Sequence, residues 1–213
     1  MIYQPERVLL EEQIRSFLPK QPGKVLDVGG GDGKRYRHLF DSQEFISVDI
    51  DPQTSPNIVA SCENLPFSEA TFDTILSSQM LEHVTSPEKC LGEIYRVLKP
   101  GGNFILTVPM TNEMHAEPND FWRFTKYGIE LLCTSSGFKI KGNKQRGGYH
   151  CTVTQMRIRK LIDTYRPFEN PIAMRIIGPI SYVLTRVAIL LDAKNNLPPL
   201  RKHALGWALL LSK

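Results

Sequence analysis

The chain of 213 residues is 41% hydrophobic and 23% charged, which fits one globular domain with a sizeable core and excludes a disordered chain. Its net charge of +4 conceals an asymmetry, because residues 139 to 213 hold 14 Lys and Arg but three acids, whereas residues 1 to 138 hold 12 bases and 19 acids. This acidic body with a basic last third predicts contact with an anionic ligand, a membrane surface or nucleic acid.

The N-terminus and the cysteines bear on the cellular compartment of the protein. The N-terminus lacks a basic stretch followed by an apolar run, so we expect no secretory signal. The four cysteines, Cys62, Cys90, Cys133 and Cys151, lie far apart and form no C-x-x-C pair, which argues against a disulfide framework and a zinc site. A cytoplasmic location is therefore expected.

Predicted strands and helices alternate along the first two thirds of the chain. Apolar residues from Leu9 to Leu18 indicate an amphipathic helix, which Pro19 ends before the first strand. The spacing predicts further helices at 88–98, ended by the sequence KPGG at 99–102, and from Thr125 to about 136. Strands are predicted at 24–28, 45–49, 57–60, 72–78, 103–108 and about 138–140. Such βα units predict an α/β fold with a parallel sheet.

The pattern changes at residues 147–200, which indicate one or two long helices before a last strand at 204–211. Residues 172–191 contain only two charges, Arg175 and Arg186, and their polar or small residues recur every three or four positions. This spacing predicts a helix that is apolar over most of its circumference. The two arginines and Gly178-Pro179 argue against a span across a bilayer.

Three coverings for this helix stay open. It packs on the protein's own body as a lid, on a second subunit in a homodimer, or on the interfacial zone of an anionic membrane. Packing on the body or in a dimer is the ordinary outcome for such a helix, and flanking bases such as Arg157, Arg159 and Lys160 strengthen the membrane-surface alternative.

A glycine-rich turn, D-V-G-G-G-D-G from Asp27 to Gly33, directly follows the first strand. Such a turn lets backbone N–H groups approach a ligand closely at a helix N-terminus. The spacing is G-x-G-x-G and not the dinucleotide G-x-G-x-x-G, because Lys34 stands at the sixth place. Asp49 ends the second strand, where a carboxylate accepts both ribose hydroxyls of a nucleoside.

These residues resemble the first two motifs of the class I S-adenosylmethionine-dependent methyltransferases, in the type 11 or ubiquinone–menaquinone-biosynthesis-like group. The likeness continues with ENLPF at 63–67, TFD at 71–73, LEHV at 81–84 and EIYRVLKPGG at 93–102. It implies a Rossmann-like, mostly parallel seven-stranded sheet with helices on both faces and a helical insert before the last strand. It also implies S-adenosyl-L-methionine as the cofactor.

The resemblance assigns a set of cofactor-binding residues. Asp27 and the backbone of Gly29, Gly30 and Gly31 would hold the methionine end, Asp49 the ribose, and Ile50 one face of the adenine. Further along, the loop of Ser61, Cys62 and Glu63 would border the adenine edge, while Ser78 and Gln79 would lie near the methionine and the substrate. Many relatives carry Asp where this chain has Ser61, so adenine binding departs from the family pattern there.

Two histidines are candidate general bases for an acceptor that arrives protonated. His83 follows the fourth strand and His115 lies in the loop after the fifth, both at the edge where ligands of such sheets bind. The alternatives are that His83 ties two loops together and that His115 belongs to a solvated loop.

Glu82, His83 and His115 also resemble three ligands of a magnesium-type site in some relatives. A further Glu in those relatives corresponds here to Gln79, and a missing carboxylate weakens a hard-cation site. We therefore expect no metal.

The loop PNDFWRFT at 118–125 is unusually aromatic and resembles a branch of methyltransferases associated with cell-surface polysaccharide and glycolipid pathways. Trp122 and Phe121 are candidate walls of an acceptor pocket, and Asp120 with Arg123 either binds a polar substrate or forms a buried pair. Alternatively, the loop anchors the following helix, with Thr125 as its N-cap.

The sequence as a whole predicts a single methyltransferase domain over 1–213, with a cofactor-binding core at 20–146, a basic apolar insert at 147–200 and a last strand at 201–213. The expected reaction is methyl transfer to a small-molecule, glycan or lipid-like acceptor, on oxygen. The alternatives are an RNA methyltransferase, which the lack of a recognisable RNA-binding module disfavours, and a non-catalytic cofactor-binding partner of another enzyme.

Overall fold

The computed structural model describes residues 1–194, 197 and 199–213, and the side chain of Arg201 lies outside this description. Its strands are β1 Val25–Val28, β2 Phe45–Asp49, β3 Ile58–Val59, β4 Phe72–Ser78, β5 Leu98–Pro109, β6 Lys139–Arg146 and β7 Gly206–Ser212. Its α-helices are α1 Pro5–Arg15, α2 Lys34–Arg37, α3 Pro87–Val97, α4 Lys126–Ser135, α5 Tyr149–Tyr165 and α6 Pro171–Lys194.

The described strands form one seven-stranded sheet in the order β3-β2-β1-β4-β5-β7-β6. The strands from β3 to β5 pair in parallel, whereas β7 is antiparallel to both β5 and β6. Helices cover both faces of a parallel sheet, so its central strands carry apolar residues on both faces. β1 is accordingly buried along its whole length. The Rossmann-like fold expected from the sequence is confirmed.

The main core lies between the sheet and helices α3 and α4. Cys90, Leu91, Ile94 and Val97 line the inner face of α3 at the helical spacing that the sequence indicated. On the other sheet face, Leu10 and Ile14 of α1 pack in a second core with residues of β1, β4 and β5. The two layers hold the carboxyl ends of the parallel strands at one edge of the sheet.

β5 begins five residues earlier than the sequence pattern predicted, at Leu98. Its pairing with β4 passes from Phe72 opposite Leu98 to Thr74 opposite Asn103. The extra residues include Pro100, Gly101 and Gly102, and the irregular register absorbs them in the way a bulge does. The turn residues therefore end α3 at Val97, as predicted, but lie inside the strand element.

Two helices, α5 and α6, occupy the region that the sequence indicated as an insert. They pack against each other and against α1. α6 is the one helix among the described residues that is long and apolar enough to cross a membrane, with a mean hydropathy of 1.6, and 28% of that window is buried. The described residues therefore cover one face of α6 and leave most of its apolar circumference exposed.

Candidate functional site

The turns after β1, β2, β4 and β5 meet at one edge of the sheet, because carboxyl ends of parallel strands lie together. β6 ends at this edge as well, since Arg146 and Pro109 both lie opposite Gly206 of β7. The glycine-rich turn, Asp49, Gln79 and the loop after β5 therefore converge there. The insert leaves the sheet from the same edge.

The glycine-rich turn has little room for side chains. Gly29 has a φ of +73°, and a Cβ there would lie 2.1 Å from Cγ of Met80. A Cβ on Gly30 would lie 2.2 Å from Oδ2 of Asp27. Glycine at both places lets the turn pass directly over the buried Asp27 carboxylate and keeps its backbone open on the opposite side.

Asp27 is buried, and its Oδ2 has no hydrogen-bond partner among the described residues. Burial raises the pKa of this carboxyl to about 7. A buried oxygen without a partner is costly to an apoprotein, and a cationic group placed above the turn would favour the ionised form.

Asp49 closes β2 and faces the same space. Its Oδ2 accepts the N–H of Gly31 at 2.9 Å and its Oδ1 accepts the N–H of Asp51 at 3.0 Å. These bonds fix the carboxylate while each oxygen retains a lone pair for a hydroxyl donor. Next to it, Ile50 is 70% exposed, so it offers an apolar surface that the chain itself leaves uncovered.

A cavity of about 450 Å³ lies at this edge. Seven of the predicted cofactor-binding residues line it, namely Gly29, Asp49, Ile50, Ser61, Cys62, Glu63 and Gln79, together with His83 from the predicted catalytic pair. The other four, Asp27, Gly30, Gly31 and Ser78, are within two residues of lining residues in the sequence and are not part of the lining. Their direct contact with a ligand stays a prediction.

The Ser61 hydroxyl accepts the backbone N–H of Glu63 at 3.2 Å. It therefore shapes its own loop in the way a short capping side chain does.

Gln79 lines the cavity in a strained backbone conformation, with a φ of 54°. Its side chain turns away from the histidines, because Nε2 donates to Oγ1 of Thr107 at 3.3 Å and Oε1 accepts from Nη1 of Arg146 at 3.2 Å. Thr107 Oγ1 in turn donates to Ser78 Oγ at 3.1 Å. Ser78 and Gln79 thus belong to one polar network below the cavity.

Both predicted catalytic histidines have a defined hydrogen-bonding pattern. His83 Nδ1 lies 2.6 Å from the Asn119 carbonyl oxygen, and His115 Nδ1 lies 3.1 Å from the Glu113 carbonyl oxygen. Because a carbonyl only accepts, each Nδ1 is assigned the proton, and each Nε2 is left with a lone pair. The two rings meet edge to face with centroids 4.8 Å apart.

Of the two, His83 lines the cavity, whereas His115 lies beside it, against the His83 ring. His115 Nδ1 is 3.5 Å from Oδ2 of Asp120. A carboxylate at this distance favours the tautomer that carries its proton on Nδ1.

Glu82 lies under the histidines and is fully buried, and neither carboxyl oxygen has a hydrogen-bond partner among the described residues. Burial raises its pKa to about 8, so the side chain is protonated at neutral pH. Oε1 lies 3.9 Å from Nε2 of His83.

Glu82, His83 and His115 each place one ligand atom within 4.8 Å of the others, the grouping noted in the sequence. Gln79 at the fourth place is bonded to Thr107 and Arg146 instead. The expectation that no metal binds stays a prediction.

The aromatic loop after β5 is held mainly by its own contacts. Arg123 forms a bidentate ion pair with Asp120, with N–O distances of 2.6 and 2.7 Å, and this pair lowers the pKa of Asp120. Trp122 Nε1 donates to the Val84 carbonyl at 2.8 Å. These three predicted substrate residues lie beside the cavity lining, and their contact with a substrate stays a prediction.

The loop also anchors helix α4, since the Thr125 hydroxyl accepts the N–H of Gly128 at 3.1 Å and caps the helix, as predicted.

Of the two aromatic residues expected to wall a pocket, Phe121 lines the cavity and Trp122 does not. Sequence reasoning missed two residues of the polar network beside it. Arg146 is fully buried and bonds Gln79, and Tyr36 of α2 bonds Ser78 at 3.2 Å. A buried arginine in a polar strand gives no signal in the sequence, because its partners Glu6 and Gln13 lie more than a hundred residues away.

Comparisons with known proteins match part of the chain to methyltransferases. Residues 26–106 match a methyltransferase domain family. A ubiquinone/menaquinone biosynthesis C-methyltransferase of Rickettsia felis is 38% identical in an alignment that covers 66% of this chain and 64% of the relative. The chain spans less than two thirds of the curated relatives it matches, for example 23% of a Caenorhabditis elegans sterol 4-C-methyltransferase.

Solved structures share the whole fold. An S-adenosylmethionine-dependent methyltransferase of Mesorhizobium loti superposes with a TM-score of 0.61 at 15% identity, over 98% of each chain. The [4+2]-cyclase SpnF superposes with a TM-score of 0.65 at 18% identity, over 96% of this chain and 80% of the cyclase. The glycine turn and Asp49 lie within residues 26–106, which match the methyltransferase domain family, and the whole chain has the Rossmann-like fold of class I S-adenosylmethionine-dependent methyltransferases.

Proposed function

We propose that the chain transfers a methyl group from S-adenosylmethionine to a small-molecule, glycan or lipid-like acceptor that arrives protonated. The observation that carries this proposal is that His83 lines the cofactor cavity while its Nδ1 lies at the Asn119 carbonyl, which leaves Nε2 to accept a proton. The cofactor supplies an activated methyl group on a sulfonium. The protein then needs to align the acceptor, exclude water and take up a proton.

The residues present fit this cofactor. The orphaned carboxylate of Asp27 suits the ammonium of the methionine part, and Asp49 suits the ribose hydroxyls. The uncovered Ile50 side chain suits an adenine face. The cavity volume of about 450 Å³ lies in the range usual for ligand pockets.

His83 is proposed as the base and His115 as the group that positions it. The acceptor proton passes to Nε2 of His83, while Nδ1–H stays bonded to the Asn119 carbonyl. The His115 ring, held through Asp120, fixes the His83 ring from the side. Phe121 excludes water at the mouth of the cavity.

Oxygen is the proposed methylated atom, because a hydroxyl needs such a base. The curated relatives are named as C-methyltransferases, and a phenol that is methylated on a ring carbon also loses its O–H proton. Tandem mass spectrometry of the product separates a methoxy group from a C-methyl group.

Two measurements test the proposal. Calorimetry with S-adenosylhomocysteine should show stoichiometric binding, and failure to bind would refute the proposed function at its first step. Methyl-labelled cofactor is then offered with phenols, glycans, glycolipids and RNA. Transfer to RNA alone, or cofactor binding without any transfer, would favour the alternative functions.

We expect binding of S-adenosylhomocysteine to depend on the ionisation of Asp27. Its carboxyl is raised to a pKa of about 7 by burial in the free protein, and the ligand ammonium favours the carboxylate. Binding therefore releases a proton, and affinity should rise about tenfold from pH 6 to pH 8 and then level off. Calorimetry at each pH measures this change.

Asp27→Asn serves as the control, because the ligand's own titration is identical for both proteins. The variant should bind more weakly and without the tenfold rise. An equal rise in both proteins would show that Asp27 does not interact with the ligand.

Replacing His83 by Asn should lower turnover of the acceptor by roughly 10²- to 10⁴-fold, while affinity for S-adenosylhomocysteine stays within a few-fold. His115→Asn should cost less, because His115 lies outside the cavity lining, and it should shift the pH profile of kcat by removing the contact that holds the His83 ring. Unchanged turnover in His83→Asn would remove it from the mechanism.

A further inference from the structure

Helix α6 differs from an ordinary surface helix in which residues it buries and which it exposes. Its buried face consists mainly of small and polar residues, with Gly178, Ser181, Thr185 and Ala188 beside Ile177. Its exposed face consists of large apolar residues, namely Ile172, Ile176, Ile180, Val183, Val187, Leu190 and Leu191. These positions are three or four residues apart and form one continuous stripe, which we call the apolar face of α6.

The buried face is fixed to the protein body. The N–H of Tyr3 donates to Ser181 Oγ at 3.0 Å, and the Ser181 hydroxyl donates to the Gly178 carbonyl at 2.7 Å. A Cβ on Gly178 would lie 3.1 Å from the Met1 carbonyl oxygen. These contacts hold the small, polar face of α6 against the N-terminal segment and leave its apolar face outward.

Cations flank the apolar face. Arg175 and Arg186 are eleven residues apart, which is about three helical turns, so both lie on the same side of the stripe. Both are exposed, as are Arg157 and Lys160 of α5. In the described part of the chain, none of these four lies within ion-pair distance of a carboxylate.

Acidic side chains near the apolar face are already engaged. Asp192 of α6 accepts the backbone N–H groups of Gly148, His150 and Cys151 at the start of α5. Glu169, in the connection between α5 and α6, pairs with Arg166 at 3.8 Å.

A second copy of the chain is therefore a poor occupant for this face. In a two-fold dimer the same patch meets itself, so the arginines would approach arginines without a free carboxylate to pair with. An anionic bilayer surface matches both properties, since it takes the apolar side chains at the headgroup boundary and the cations at the phosphates.

The helix pair also faces the acceptor side of the site. α5 begins just after Arg146, at the edge of the sheet where the cavity lies. Arg159 of α5 forms an ion pair with Glu113, in the same loop that holds His115. A membrane bound to α6 would thus lie on the part of the protein that is tied to the acceptor loop.

We propose that α6 lies in the plane of an anionic membrane surface, with its apolar face in the headgroup boundary and Arg175 and Arg186 at the lipid phosphates. This inference goes beyond the proposed methyl transfer and does not depend on it. It assigns the basic, apolar insert the role of a peripheral membrane anchor.

Cosedimentation of the full chain with lipid vesicles tests the proposal. We expect binding to vesicles of phosphatidylcholine mixed with phosphatidylglycerol, weakened by added salt, and much less binding to phosphatidylcholine alone. Arg175→Gln with Arg186→Gln should weaken binding to the anionic vesicles roughly tenfold or more. Val183→Asp with Val187→Asp should abolish it.

Leu131→Asp is the matched control, because Leu131 is 66% exposed on α4 and the same charge is introduced away from α6. It should bind vesicles as the wild type does. Calorimetry with S-adenosylhomocysteine, which does not involve α6, checks that every variant is folded.

Three results would overturn the inference. The wild type fails to bind anionic vesicles, or the Val183 and Val187 variants bind as well as the wild type. The third is a dimer in analytical ultracentrifugation that these two substitutions dissociate, which would identify a second copy as the occupant of the face.

Discussion

Gly29→Ala should lose cofactor binding by at least about 100-fold and lower the free energy of unfolding by roughly 1 to 3 kcal/mol. A methyl group at this position would lie 2.1 Å from Cγ and 2.7 Å from Cβ of Met80, and the φ of +73° disfavours any side chain. Either Met80 or the turn must move, and both line the cavity. Calorimetry with S-adenosylhomocysteine and thermal unfolding measure the two effects.

Gly92→Ala is the control for this substitution. Gly92 lies within α3, and a Cβ there would meet nothing within 4 Å. Alanine in a helix interior is favoured over glycine by about 0.5 to 1 kcal/mol, so this variant should be slightly more stable and bind the ligand normally. Normal ligand affinity in Gly29→Ala would contradict the description of the turn as a cradle for the cofactor.

Arg146→Met should destabilise the protein by about 3 to 5 kcal/mol, the usual result of removing one partner from a buried ionic group. The guanidinium is fully buried, pairs with Glu6 at 3.4 Å, donates to Gln13 and Gln79, and lowers the pKa of Glu82. Chemical denaturation at constant pH measures the loss.

The pH dependence of this loss has a defined sign. Glu82 has a folded-state pKa of about 8, raised by burial from 4.5, so stability falls as pH rises between these values. Without Arg146 that pKa rises further, and the gap between wild type and variant should widen above pH 8. Adding Glu82→Gln should remove this widening.

Lys144→Gln is the matched control for Arg146→Met. Lys144 lies on the same strand, is exposed, and donates to Ser16 Oγ at 2.7 Å. Its loss should cost less than about 0.5 kcal/mol. A loss of stability of similar size in both variants would show that the buried network around Arg146 stabilises the protein no more than the surface contact of Lys144 does.

Most of the fold was predictable because the βα pattern is local. β2 and β4 begin and end at the predicted residues, and the helix predicted at 88–98 runs over Pro87–Val97. The start of β5 was missed because Pro100 and Gly101 are turn formers, and only pairing with β4 draws them into a strand. Tertiary contact overrode local propensity there.

The cofactor half of the site was predictable for a related reason. A glycine turn and an acid at the end of the next strand are short-range signals of a fixed geometry, and both line or support the cavity. The acceptor half of the site was less predictable. Whether Phe121 or Trp122 faces the cavity depends on how one loop folds back, and Trp122 turns to Val84 through a single hydrogen bond.

The outward orientation of α6 was not predictable from its own residues. The spacing of its residues predicts a polar stripe and an apolar stripe on α6, but it does not show which stripe faces the body. Ser181 faces inward because Tyr3, 178 residues away, donates to its hydroxyl. A single helix carries no information about such a distant partner.

The position of β7 has a consequence for how the chain folds. This last strand lies between β5 and β6 and pairs with both, although the whole α5–α6 segment separates it from β6 in sequence. Pairings of such separation form late, because closing the loop precedes any gain in contacts. Until β7 docks, β5 has an open edge and β6 has two, in addition to the apolar face of α6, which is exposed in the folded protein as well. We therefore expect the species that precedes strand docking to be the one most prone to aggregate.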